Sequence, residues 1–358
     1  MHTQPDVAPE VPMTPPWLAQ FEPDPGYLNT ATVGIPPRSA VQAMEAALAQ
    51  WRHGRLEPSD FDEHVTRSRS AWARISGVDP ARVATGSTVS SLVGLVAAGL
   101  PAGAQVLVAE GDFTSVLFPF LAQVSRGARV REVPLERLIE SIDGSVDLVA
   151  VSAVQSADGR VVDIAALATA AATHDARILL DTTQSCGWLP IDVSAIDYTV
   201  CAAYKWLLCP RGVAFMAVRP DRLDAITPHA AGWYAGQDIW ASIYGSPLRL
   251  AADTRRLDTS PAWFCWVGAS EALELLASID AGTIRQHDVG LADAFLADLG
   301  RPPQGSAIVT VDAGDTAERL AAAGIRTAHR AGRVRASFHL YNNRHDVDLA
   351  VRALTAGR

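Results

Sequence analysis

"RILLDTTQSCGWLPIDVSAIDYTVCAAYKWLLCPRG", residues 177–212, decides the fold. It opens on an apolar run that ends in an acid, Asp181. After a turn-rich segment a second run, "DYTVCAAY" (197–204), leads directly into Lys205. Short, near-continuous apolar runs are strands buried on both faces, the kind found in a mostly parallel sheet covered by helices. Lys205 is also the only lysine in a chain whose lysines and arginines together number 30. Surface charge does not explain one lysine among arginines. A desolvated lysine amine can lose its proton, whereas a guanidinium stays charged. A neutral amine can attack a carbonyl and form a Schiff base. The alternative is a residue left over from arginine-biased codon usage.

The same alternation extends in both directions. Upstream lie "RVATGST" with the helical "VSSLVGLVAAGL", then "AQVLVAE" (104–110), "ARVREVPL" (128–135), "DLVAVSAV" (147–154) and the helix "DIAALATAAATHDA" (163–176). Downstream comes the strand "GVAFMAVR". Two amphipathic helices, "RSAVQAMEAALAQWRHG" and "DEHVTRSRSAWARISG", precede the alternating region. The last third changes character. "RQHDVGLADAFLADLG", "SAIVTVDA", "DTAERLAAAGI", "GRVRASFHLY" and "HDVDLAVRALTAG" outline a small α+β unit, β-α-β-α in order. The expected organisation is an extended Pro-rich arm (1–26), a large domain (27–250) and a small C-terminal domain (251–358).

Composition excludes several classes. With a net charge of −9, a nucleic-acid-binding surface is not expected. No apolar run reaches the ~18 residues a bilayer span needs. The N-terminus lacks the charged-then-apolar layout of a signal peptide. Cys186, Cys201, Cys209 and Cys265 form no CxxC pair and sit among apolar residues, as in a reduced cytoplasmic protein. The nine histidines show no HxH or HxxxH spacing, so no metal site is expected.

Open α/β sheets bind ligands at the carboxyl ends of their strands. Three features fall there. "ATGSTVSS" (84–91) opens a helix, and the amides and hydroxyls of Gly86, Ser87 and Thr88 suit a phosphate, although Ser and Thr are also ordinary N-caps. Asp181 ends a buried strand and needs a partner, or else caps the following turn. Lys205 lies just past the next strand. An anion-binding turn, a strand-end acid and a solitary lysine together match the needs of pyridoxal phosphate: a phosphate cradle, an amine for the aldehyde and an acid for the pyridine nitrogen.

At these residues the sequence resembles the class V aminotransferase family of fold-type I pyridoxal phosphate enzymes, with its cysteine desulfurases, kynureninases, isopenicillin N epimerase and C–S lyases. The resemblance runs from "YLNTATVG" (27–34) to "VRASFHLYNNRHDVDLAVRAL" (334–354). It implies an α/β fold: a large domain with a mostly parallel, seven-stranded type of sheet, plus the small α+β domain. It also implies pyridoxal 5′-phosphate as cofactor. Lys205 matches the Schiff-base lysine, Asp181 the partner of the pyridine nitrogen and Gln184 the residue near the phenolic oxygen. Ser87 and Thr88 match the phosphate turn, and Tyr204 a tyrosine that touches phosphate. Phe113 takes the ring-stacking position, or is a core aromatic. Arg335 matches the arginine that clamps the substrate carboxylate through two parallel hydrogen bonds, or is a solvated strand arginine. Asn29 and Arg326 match positions close to substrate. The family's site is completed across a homodimer, and Thr259 in "ADTRRLDTSP" (252–261) matches a phosphate contact from the other chain.

Reaction type is where the resemblance divides. Desulfurases carry a nucleophilic cysteine shortly before the "RAS" arginine, and "RTAHRAGRVRASF" (326–338) has none. Kynureninases have a histidine where this chain has Gln184. The expectation is therefore a lyase that breaks a Cβ–S or other Cβ–X bond of an amino acid without a persulfide cysteine. An aminotransferase or an epimerase is the alternative, and a non-catalytic scaffold the third. Trp233, Tyr234, Trp240, Trp263 and Trp266 either line an aromatic-tolerant pocket or pack an interface.

Overall fold

The apolar runs become one seven-stranded sheet in the computed structural model, which describes residues 15–356. Residues 1–14 of the expected arm lie outside the described residues. Helices α1 (Arg38–Arg52) and α2 (Asp62–Ser76) come first, and α2 stops at Gly77, whose φ of 69° takes the left-handed cap. Then follow β1 (Val83–Gly86), α3 (Val89–Ala98), β2 (Gln105–Ala109), α4 (Thr114–Leu121), β3 (Arg129–Val133) and β4 (Leu148–Ser152). Next come α5 (Ile164–Thr173), β5 (Arg177–Asp181), β6 (Tyr198–Ala202) and β7 (Ala214–Val218).

The strand order is β1-β7-β6-β5-β4-β2-β3. The pairs β6–β5, β5–β4, β4–β2 and β2–β3 are parallel, and β7 runs against both of its neighbours. Both faces are covered, so adjacent residues enter different cores. Val106, Val108, Leu148 and Ala150 pack with α3 and α4, whereas Leu107, Ala109, Val149 and Val151 pack with α5. This double burial is why the strands read as continuous apolar runs rather than alternating ones.

Beyond the sheet lie α6 (Trp263–Ala277), α7 (Ala281–Asp298), β8 (Ile308–Asp312), α8 (Thr316–Ala322), β9 (Ala328–Arg330), β10 (Arg333–Ser337) and α9 (Arg344–Thr355). Helix α6 joins α1 and α2 over the large sheet. The antiparallel sheet β8-β10-β9 shares a core with α7 and α9, and Leu28 enters that core from the N-terminal segment. Strand β9 is an addition to the β-α-β-α outline. Three residues are too few for periodicity, and only the turn at Ala331 (φ 45°) and Gly332 (φ 75°) marks the hairpin.

Residues 27–34 connect the two units. Tyr27 bridges Arg326 and Asn29 bridges Ser337, while the Gly34 amide donates to the Tyr204 carbonyl at 2.9 Å. A Cβ on Gly34 would fall 2.0 Å from the Lys205 carbonyl oxygen, so only glycine permits this approach.

Candidate active site

Strands β1, β2, β4, β5 and β6 point the same way, and their carboxyl ends meet at a cavity of about 240 Å³. Ser87, Thr88 and Ser90 line it beyond β1, Phe113 beyond β2, Ser156 beyond β4, and Asp181, Thr183 and Gln184 at the end of β5. Tyr204 and Lys205 close it beyond β6. Thr88 caps the ten-residue helix α3 and accepts the Ser91 amide at 3.2 Å, leaving the first amides of that helix directed at the cavity mouth.

Lys205 is 4% exposed, and its Nζ lies 5.2 Å from the Phe113 ring centre and 5.6 Å from that of Tyr204. Burial pulls its amine down to about 8, with Arg335 and Arg330 adding to the fall and Asp181 opposing it. Asp181 is equally enclosed and accepts the Thr183 amide at 2.8 Å. Burial pushes its carboxyl up to about 6, against those hydrogen bonds and with the charge of Asp112 adding to the rise. Arg335, 1% exposed, donates only to neutral oxygens among the described residues: the Ser156 carbonyl, Ser156 Oγ at 3.2 Å and Thr32 Oγ1 at 2.8 Å. Its Nε has no partner, and burial drags the guanidinium down to about 10. A buried cation without a counter-ion is costly unless a ligand supplies the anion.

Gln184 is held rigidly. Its Oε1 accepts Trp206 Nε1 at 2.9 Å, and its Nε2 donates to the Ala31 carbonyl and to Ser156 Oγ, both at 3.0 Å. Ser156 thereby ties Gln184 to Arg335.

The structure brings together Ser87, Thr88, Phe113, Asp181, Gln184, Tyr204 and Lys205, with Arg335 joined through Ser156. Gly86 ends β1 one residue from the cavity lining. Asn29 lies beside Ser337 with its Oδ1 buried and unpartnered. Arg326 is exposed, and its backbone pairs with the chain at Tyr27. Thr259 donates its amide to the Thr85 carbonyl at 3.4 Å and is not part of the lining in its own chain.

The tryptophan segment stands apart from the cavity. Tyr234 Oη and Trp240 Nε1 both donate to Asp62, at 3.0 and 2.8 Å; Trp263 stacks on Phe61, and Trp266 packs edge-on against Phe215. None of these aromatic residues lines the cavity within the chain. Cys265 does not line the cavity; its thiol donates to the Arg211 carbonyl at 3.2 Å.

Sequence reasoning missed Ser156, Asp112 and Arg211. Asp112, buried after β2, accepts the Ser152 amide and hydroxyl at 2.7 and 2.5 Å. It and Ser156 both follow strand ends, so the strand-end rule that singled out Asp181 would have found them. Arg211 lines the cavity and lies 5.4 Å over the Tyr204 ring, and no motif marks it.

A model of the aminotransferase class-V family matches residues 60–316. The chain is 29% identical to an uncharacterized aminotransferase, YcbU, of Bacillus subtilis, over 86% of this chain and 85% of that one. It is 28% identical to the isopenicillin N epimerase of Streptomyces clavuligerus, over 74% and 72%. Among solved structures it is similar to the cystine C–S lyase C-DES, with a TM-score of 0.82, 22% identity and coverage of 94% and 98%.

Proposed function

The chain belongs to the aminotransferase class-V family, and on that premise we propose that it is a pyridoxal 5′-phosphate enzyme acting on an α-amino acid. The observation that carries this is the unbalanced site itself: a buried lysine with a depressed amine and, beside it, a buried arginine with no acid among the described residues. The residues fit the cofactor. Ser87, Thr88, Gly86 and Tyr204 surround a place for its phosphate at the α3 N-terminus, Lys205 would take its aldehyde and Asp181 would hold a proton on its ring nitrogen. Bound there, the cofactor supplies an electron sink for bonds at the substrate Cα.

The remaining work belongs to the chain. Arg335, freed from neutral oxygens, would grip the substrate carboxylate and so orient the substrate Cα. Phe113 shields one face of the cavity from water. The Lys205 amine, neutral above about pH 8, is placed to take and return a proton at Cα. A homodimer, with Thr259 of the partner subunit reaching the phosphate, completes the same reading.

For the reaction, the reading is elimination at Cβ without a persulfide. In support, no cysteine lines the cavity and none precedes Arg335 in residues 326–334. Aminotransfer or epimerisation is the second reading, and the two relatives at 29% and 28% identity favour it. The test mixes holoenzyme, without a keto acid, with cysteine conjugates, their sulfoxides and kynurenine. Continuous release of ammonia and pyruvate supports elimination. A single stoichiometric loss of the visible band, restored only by a keto acid, supports aminotransfer and overturns it.

A further inference from the structure

His339 and Asp288 are both fully buried, far from any surface reason to be ionisable. Asp288 sits on α7 and His339 just past β10, and Asp288 Oδ2 approaches His339 Nδ1 to 3.0 Å. The two atoms are close enough for an ion pair although not aligned as a linear hydrogen bond, and neither has another partner. His339 Nε2 lies 3.0 Å from the carbonyl of Trp206, the residue after Lys205. A carbonyl can only accept, so Nε2 carries a hydrogen.

Trp206 needs such a hold. The turn after Lys205 places Leu208 at φ 57°, a left-handed conformation that disfavours leucine. Trp206 also donates to Gln184, which reaches Ser156 and, through it, Arg335. One chain of contacts therefore runs from α7 to the amine and to the carboxylate clamp.

We propose that His339, seated against Asp288, is a positioning residue: its Nε2 hydrogen holds the Trp206 carbonyl, and so the placement of Lys205 and Gln184 in the active site. The inference rests on the pyridoxal reading for its consequence, not for its geometry. The other groups facing the couple are His287, whose Nδ1 lies 3.0 Å from Asp288 Oδ1, and Tyr341, whose ring stands 5.5 Å from that of His339. Arg285, also on α7, lies over Trp188 instead.

The test uses the full chain with two variants. His339→Leu removes the donor to the Trp206 carbonyl; His339→Gln keeps one. Hydrogen exchange of the peptide 201–209 should quicken in His339→Leu by about tenfold, the worth of one hydrogen bond, and by less in His339→Gln. With pyridoxal 5′-phosphate added, the pH midpoint of the visible band should move in His339→Leu and stay closer to the parent's in His339→Gln. A merely structural couple would lower the melting temperature and leave both readouts unchanged, which overturns the inference. A parent protein that forms no visible band overturns the pyridoxal reading instead, and the exchange result still decides this one.

Discussion

Two sets of charges lie equally deep in this molecule and are treated in opposite ways. Arg69 and Asp258 meet at 2.6 Å, and Arg69 also donates to the Val83 carbonyl while Asp258 accepts the Thr85 amide at 2.7 Å. Every charge there has an answering charge, and the pair fastens residues 254–258 to β1. Beside the cavity, Arg335 meets only neutral oxygens among the described residues, and Lys205 faces aromatic rings. Burial raises the Asp181 carboxyl more than the charge of Lys205 lowers it. The first set is complete within the chain. The second is completed by something brought to it, and that incompleteness, more than burial, marks a functional site.

The comparison breaks most sharply at Lys205. Lys205→Ala should remove the visible band and lower turnover by at least about 1,000-fold, because no other amine stands in the cavity. Lys205→Arg, which keeps the charge, should be equally inactive. Activity retained by the arginine variant would mean that the lysine serves as a cation, and the contrast with Arg69 would collapse. At Arg335 the expected loss is smaller. Arg335→Gln should lower kcat/KM by about 100-fold, mostly through KM, since a charged two-bond grip contributes about 3 kcal/mol. The band should persist. A loss confined to melting temperature would place Arg335 with the structural set.

The structural pair predicts the reverse pattern. Asp258→Asn leaves Arg69 buried with its charge unanswered, so it should destabilise the fold by about 3–5 kcal/mol in urea unfolding while the folded fraction keeps its band. Replacing both residues with apolar ones of similar volume should recover much of that loss. A double variant as unstable as the single one would show that the pair is needed for more than its own neutralisation.

The legible part of this molecule was the part written locally. Runs such as 147–154 and 177–184 gave strands because each is buried on both faces, and Lys205 and Asp181 stood out because one is unique and the other ends a strand. What stayed hidden is relational. That Arg335 lacks an acid, and that Arg69 has one 189 residues away, are statements about neighbours that no spacing encodes. The couple of Asp288 and His339 escaped for the same reason: no ligand-like spacing links them. The tryptophan segment shows the same limit, since nothing in its spacing says that Tyr234 and Trp240 both reach Asp62.

Asp181 offers the finest test, because burial raises both its carboxyl and that of Asp258, yet only Asp258 has an arginine against it. An ordinary aspartate titrates at 3.8, and in the folded chain Asp181 is pushed up to about 6 by burial. Below 3.8 both folded and unfolded chains hold the proton. Between 3.8 and about 6 the unfolded chain has released it while the folded chain retains it, so this residue's contribution to stability falls as pH rises. Above about 6 the loss is complete, at most about 3 kcal/mol for two units. Asp181→Asn, tested without cofactor, should therefore melt higher than the parent at pH 7.5, with the gap closing as the pH is lowered from 6 towards 4. The same variant should bind pyridoxal 5′-phosphate at least about tenfold more weakly, since the ring nitrogen loses its acid. A variant that melts lower at every pH would mean that Asp181, like Asp258, is already answered inside the chain; one that melts higher and binds poorly would show a residue whose charge is held in readiness against the interest of the empty fold.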